Sequence, residues 1–176
     1  MWSLPEYLRR KREKVLALRE RLRAPTAAAV PLLATATIVG GSGVRPVRVR
    51  EFTIITDAGT ALGGYELGPT APELLLSALA SCLAHSYAIA AADREVAFES
   101  LEVVVRGQID YRGTLAVDPQ ATIAPTNITF EARFRSAADD QQIALVHADV
   151  ERLCPVLQAL RHPQQVHGQA VRVPAE

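Results

Sequence analysis

This sequence is poor in several residue types, and each shortage excludes something. Two cysteines, Cys82 and Cys154, are too few for the disulfide framework of a small secreted domain. With 176 residues a core can form without covalent staples. Aromatic residues make up 5% of the chain, and neither sign of charge is in excess: 19 basic residues face 19 acidic ones. A general nucleic-acid binder carries a basic surplus, so that class is not expected. No run of about 18 apolar, charge-free residues is expected to cross a membrane; the stretch 26–39 is interrupted by Pro31 and several threonines. No secretory leader is recognised in the N-terminal stretch, which mixes acids with its bases and leads into no clean apolar run. A reducing, cytoplasmic setting is the expectation, and there a pair of thiols is either inert or redox-active.

The zero net charge hides an asymmetry. Residues 1–23 hold eight basic side chains against three acidic ones, which leaves the remainder acidic. The stretch reads as a helix from Ser3 to Arg23. Ser3 and Glu6 have capping-box spacing, Pro5 falls in the first turn, and Leu8, Val15, Leu18 and Leu22 share one face. The division is therefore residues 1–25 as a basic amphipathic extension and 26–176 as the main domain. The extension is suited to an acidic surface, on its own domain or on a partner.

Beyond it, residues 34–40 and 44–56 are β-rich and separated by a glycine-rich turn, the pattern of an antiparallel hairpin. Residues 57–69 read as a flexible, glycine-punctuated connection whose spacing does not match a phosphate-binding loop. The strongest helix spans Thr70 to about Ala92, with a second capping box at Thr70 and Glu73. Its body has no charged residue over more than five turns, and a helix apolar all round is buried all round. A domain this small can hardly surround it, so a second subunit is expected to cover part of it. Residues 101–111 and 128–135 alternate as strands, with Arg112-Gly113 as a turn. Ser136 is placed to cap a helix over 137–153, Cys154-Pro155 opens a short helix, and 167–173 reads as a closing strand. The class is α+β.

Cys82 sits mid-helix among apolar residues, where a buried, sluggish thiol is the ordinary outcome. His85, one turn on, lies beside it and would lower its pKa if charged. Cys154 precedes a proline at a helix start, where free N–H groups favour a thiolate. Glu73 is explained by capping, though a carboxylate near a thiol can organise an arginine. Arg48 and Arg50 share a strand face with Phe52 and Ile54, and an arginine there can partner a thiolate. A metal site from Cys82, His85, His147 and Cys154 has no supporting spacing. His162 and His167 have no evident role, and no cofactor is expected.

The segment Gly68-Pro69-Thr70-Ala71-Pro72-Glu73-Leu74-Leu75-Leu76, followed by Ala78-Leu79-Ala80-Ser81-Cys82, resembles the central-helix signature of the OsmC/Ohr family, the osmotically induced and organic hydroperoxide resistance proteins. Cys154-Pro155-Val156 resembles its second-cysteine motif, and the 71 residues between the thiols are in keeping. The resemblance runs from Leu32 to Val173 and leaves out the basic extension.

It implies antiparallel sheets wrapped around a long buried helix in an intertwined homodimer, with sites at the interface. It also implies a peroxidatic thiolate at Cys82 that becomes a sulfenic acid on meeting a hydroperoxide, and a resolving thiol at Cys154. An external dithiol, such as a lipoylated protein, then acts as reductant. Two positions depart from the family pattern. The peroxidase members carry a glutamate ten residues before the first cysteine; Pro72 stands there, and Glu73 is rotated from it by about 100°. Their arginine after the first glycine pair is replaced by Ser42, with Arg50 as a candidate substitute. A second reading of the same fold is a redox-sensing or small-ligand-binding module that holds an apolar electrophile without turnover.

Overall fold

A computed structural model of the chain describes residues 3–26 and 28–173. Helix α1 spans Leu4–Leu22, with the Ser3–Glu6 capping box in place. Leu8 buries itself in the core. At its far side Arg12 pairs with Glu95 at 2.7 Å, and Arg19 makes a two-pronged bridge to Asp93. The extension thus lies on its own domain, held by apolar burial and by acids near the end of the next helix.

Three antiparallel strands follow: β1 (Thr35–Ala36), β2 (Arg45–Val49) and β3 (Phe52–Thr56), in the order β1-β2-β3. The expected single strand over 44–56 is two strands, because the chain reverses at Arg50-Glu51. Arg50 takes a left-handed φ of 55° in that turn. Phe52, Ile54 and Ile55 of β3 remain exposed, so this sheet is not wrapped around the core within one chain.

The connection over 57–69, expected to be flexible, is tightly folded. The buried Asp57 carboxylate accepts the N–H groups of Ala58, Tyr65 and Leu67 at 2.8, 2.9 and 3.2 Å. Gly64 is required there: a Cβ on it would lie 1.9 Å from the Ala58 carbonyl oxygen.

Helix α2 (Ala71–Asp93) is the centre of the molecule, started by the Thr70–Glu73 capping box and Pro72. By length and composition it is apolar enough to cross a membrane, which corrects the expectation that no segment is. Its buried side is occupied by protein: Leu79, Leu83, Tyr87 and Ala91 are almost wholly enclosed. Nor is it buried all round in one chain, since Leu75, Ala78, Ser81 and His85 face outward.

Strands β4 (Ser100–Gln108) and β5 (Thr126–Arg135) pair antiparallel and pack on α2. Alternation puts Phe130, Ala132 and Phe134 inward and Glu131, Arg133 and Arg135 outward. Between the strands, the expected Arg112-Gly113 turn is a one-turn helix α3 (Tyr111–Thr114) capped by Asp110. Helix α4 (Asp140–Leu153) begins later than expected. Asp139 and Gln142 form its capping box, while the Ser136 hydroxyl donates to the Ala97 carbonyl oxygen at 2.6 Å and accepts from the Ala138 N–H. Helix α5 (Pro155–Arg161) follows directly. The closing strand expected at 167–173 is not formed: the segment is exposed coil, and no strand pairs with it among the described residues.

Candidate functional site

Two breaks in regular structure bring the thiols together. Cys154 ends α4 and begins α5, so the chain bends at it and turns its side chain inward, where it is fully enclosed. Opposite lies the middle of α2. The Cys154 thiol donates to the Cys82 sulfur across 3.4 Å, although 72 positions separate the two residues. Both are free thiols. Cys82 is half-buried and opens on a pocket of about 180 Å³. One wall is a single face of α2, formed by Cys82, His85, Ser86, Ile89, Ala90 and Asp93. The other is Asp149 and Leu153 of α4 with Pro155. The lining is apolar around the sulfur and carries two carboxylates at its far end.

Burial pushes the Cys82 thiol pKa up, and the neighbouring Cys154 adds to that. The nearby Val156 N–H and Ser86 hydroxyl act the other way, and the net direction is upward. No lysine or arginine is among the described residues that line the pocket. His85 lines its outer side, where partial desolvation, aided by Lys11, holds its pKa below the usual value and favours the uncharged ring. At the far end Asp93 is held by Arg19, and Asp149 accepts from Arg94 at 2.7 Å and from Arg152 at 2.9 Å.

The remaining expected residues lie elsewhere in the single chain. Glu73 is exposed at the start of α2 and is engaged by the Thr70 N–H and hydroxyl at 2.7 and 2.8 Å, which lower its pKa. Nine residues of helix put it about 13 Å along the axis from Cys82. Arg50 stacks its guanidinium over Phe52, 5.1 Å from the ring centre, and Arg48 is exposed. His147 hydrogen-bonds the Tyr87 hydroxyl and lies against Phe130. It is therefore turned to the aromatic cluster and away from the thiols, which separates the four residues of the imagined metal set. Sequence reasoning missed Ser86 and the pair Asp93 and Asp149. Ser86 was detectable in principle, four residues after Cys82 on one helix face.

The arrangement brings two sulfurs into contact at the floor of an apolar pocket open to a small molecule, which is what reversible disulfide chemistry requires. A family model for OsmC-like proteins matches residues 63–167. A search of curated proteins found no match. Among solved structures, the chain is similar in fold to an OsmC-like protein from Mycoplasma pneumoniae, with 18% identity, 76% of this chain and 89% of that one covered, and a TM-score of 0.65. An organic hydroperoxide resistance protein from Legionella pneumophila gives 18%, 76%, 91% and 0.59. A Vibrio cholerae structure described as an organic hydroperoxide resistance protein, with captopril bound in one of its active sites, gives 19%, 78%, 89% and 0.55. The match spans more than half of the sequence and includes the central helix and both cysteines, so the chain belongs to the OsmC-like protein family.

Proposed function

We propose that this protein reduces hydroperoxides through Cys82 and Cys154, as a homodimer in a reducing cytoplasm. The observation that carries the reading is the 3.4 Å contact between the two sulfurs beside an apolar pocket. In the first step the Cys82 thiolate attacks one oxygen of the O–O bond. An S–O bond forms, the O–O bond breaks, and the departing alkoxide takes a proton to leave as alcohol. Cys154 then attacks the sulfenic sulfur, forming the disulfide and releasing water. An external dithiol supplies two electrons and two protons to restore both thiols. The homodimer reading is supported by what one chain leaves uncovered: Leu75 on α2, Phe52 and Ile54 on β3, and Leu32 at 95% exposure.

A second reading keeps the disulfide but not the turnover. Burial raises the Cys82 pKa and no lysine or arginine lines its pocket among the described residues, which favours a slow redox sensor or a holder of apolar electrophiles. Stopped-flow consumption of cumene hydroperoxide by wild type and Cys82→Ser separates the two. The peroxidase reading expects fast consumption that is lost in the variant and sustained by dihydrolipoamide. Equal, slow rates would remove it.

A further inference from the structure

We propose that the cavity beneath the N-terminal extension binds a small carboxylate with an apolar tail, at a site separate from the thiol pocket. Where α1 crosses the end of α2, the two helices and the chain leading into β4 enclose about 240 Å³. The floor is Leu8, Ala91, Ala92 and Val96, all buried, and the rim carries Arg9, Arg12 and Glu95. None of the described residues that line it lines the thiol pocket. Nine residues at about 100° each turn Ala91 to the side of α2 opposite Cys82. The site therefore stands whether or not Cys82 reduces peroxides.

Size and charge select the occupant. The alanines facing α1 are too short to fill the space beside Leu8, and a void forfeits the dispersion contacts of its lining. An apolar cavity of about 150 Å³ already admits benzene, so this one has room for a chain of about eight carbons. A neutral chain would leave the rim unused, and the rim holds two guanidinium groups against one carboxylate. Glu95 engages Arg12 through Nη2 at 2.7 Å, but Arg12 Nε is closed to water and has no acceptor, which costs free energy until one is supplied. The Arg12 side chain is 40% exposed, so it can swing toward the cavity. Arg9 is exposed beside it, and the acid one turn back, Glu6, is already engaged by the Ser3 N–H and hydroxyl, each at 2.7 Å. A carboxylate at the rim would accept charge-assisted hydrogen bonds while its tail replaced the void.

The test is isothermal titration calorimetry of the full reduced chain with octanoate, octanol and inorganic phosphate. Octanoate is expected to bind once per chain and about ten-fold more tightly than octanol, with phosphate giving no measurable heat. Arg12→Gln should weaken octanoate about ten-fold and leave octanol unchanged, and Arg9→Gln should act in the same direction. Ala92→Leu, which fills the cavity, should abolish binding of both. Should that buried substitution unfold the chain, the two arginine variants on the rim still decide the matter. Octanoate should also slow tryptic cleavage within α1, since the ligand touches both helices, and blocking Cys82 with N-ethylmaleimide should leave its affinity unchanged. Equal affinities for octanoate and octanol, wild-type binding in both arginine variants, or cleavage of α1 at an unaltered rate overturns the proposal. Loss of octanoate binding on blocking Cys82 also overturns it, because the ligand then occupies the thiol pocket.

Discussion

Oxidation is expected to lock this fold measurably. The perturbation is one equivalent of oxidant added to reduced protein, converting the 3.4 Å contact of Cys82 and Cys154 into a covalent bond. The bond needs the sulfurs to close to about 2 Å, which side-chain rotation at the half-buried Cys82 can supply. The magnitude follows from the separation of 72 positions along the chain. Cross-linking so long a loop removes entropy from the unfolded ensemble worth about 4 kcal/mol at 25 °C. For a chain of this length each kcal/mol raises the melting temperature by about 2–4 °C, so oxidation should raise Tm by about 10 °C. Differential scanning calorimetry of oxidised and reduced protein reads the shift, and intact-mass analysis confirms loss of two hydrogens within one chain. Cys82→Ser and Cys154→Ser should both abolish the shift. An unchanged Tm despite complete oxidation, or a bond that forms only between chains, would refute the pairing of these two sulfurs.

Two further outcomes follow from the packing and the charges. Leu8→Ala should destabilise the protein to urea by about 2–3 kcal/mol, because Leu8 is 4% exposed and its buried methyl groups are lost, whereas Arg19→Gln should cost under about 1 kcal/mol as the loss of a partly exposed ion pair; the reverse ranking would mean that charge, not apolar burial, holds the extension. The Cys82 pKa is higher folded than unfolded, so its contribution to stability is full below the unfolded thiol value near about 8.5 and is lost as pH rises through the folded value. The Tm of reduced protein should therefore decline from pH 8 to pH 10 more steeply than that of Cys82→Ser, and parallel curves would contradict the direction of the shift.

Local rules made the helices legible. The Ser3–Glu6 and Thr70–Glu73 boxes place two helix starts to the residue, since a cap is decided by side chains three positions apart. Ser136 misled for a related reason: it is a good cap residue, but its hydroxyl is taken by Ala97, a partner 39 positions away, and Asp139 caps instead. The turn at Arg50-Glu51 carries no glycine, so the sequence 44–56 reads as one strand until the pairing of Val49 with Phe52 is seen. The strand expected at 167–173 shows the same limit, because alternation supplies a face but not a neighbour.

For the site, the sequence by itself determined the two thiols and their motifs, the long charge-free helix carrying one and the proline-started helix carrying the other. Those are properties of residue type and short spacing. Tertiary structure decided that the sulfurs touch and that α4 and Pro155 close a pocket over Cys82. It also decided that Glu73 and Arg50 stand away from the pocket in the single chain, and that Arg19 of the extension closes on Asp93 at the pocket's end. Each of these depends on where the chain returns across tens of residues, and that is set by how α2, α4 and α5 share one core.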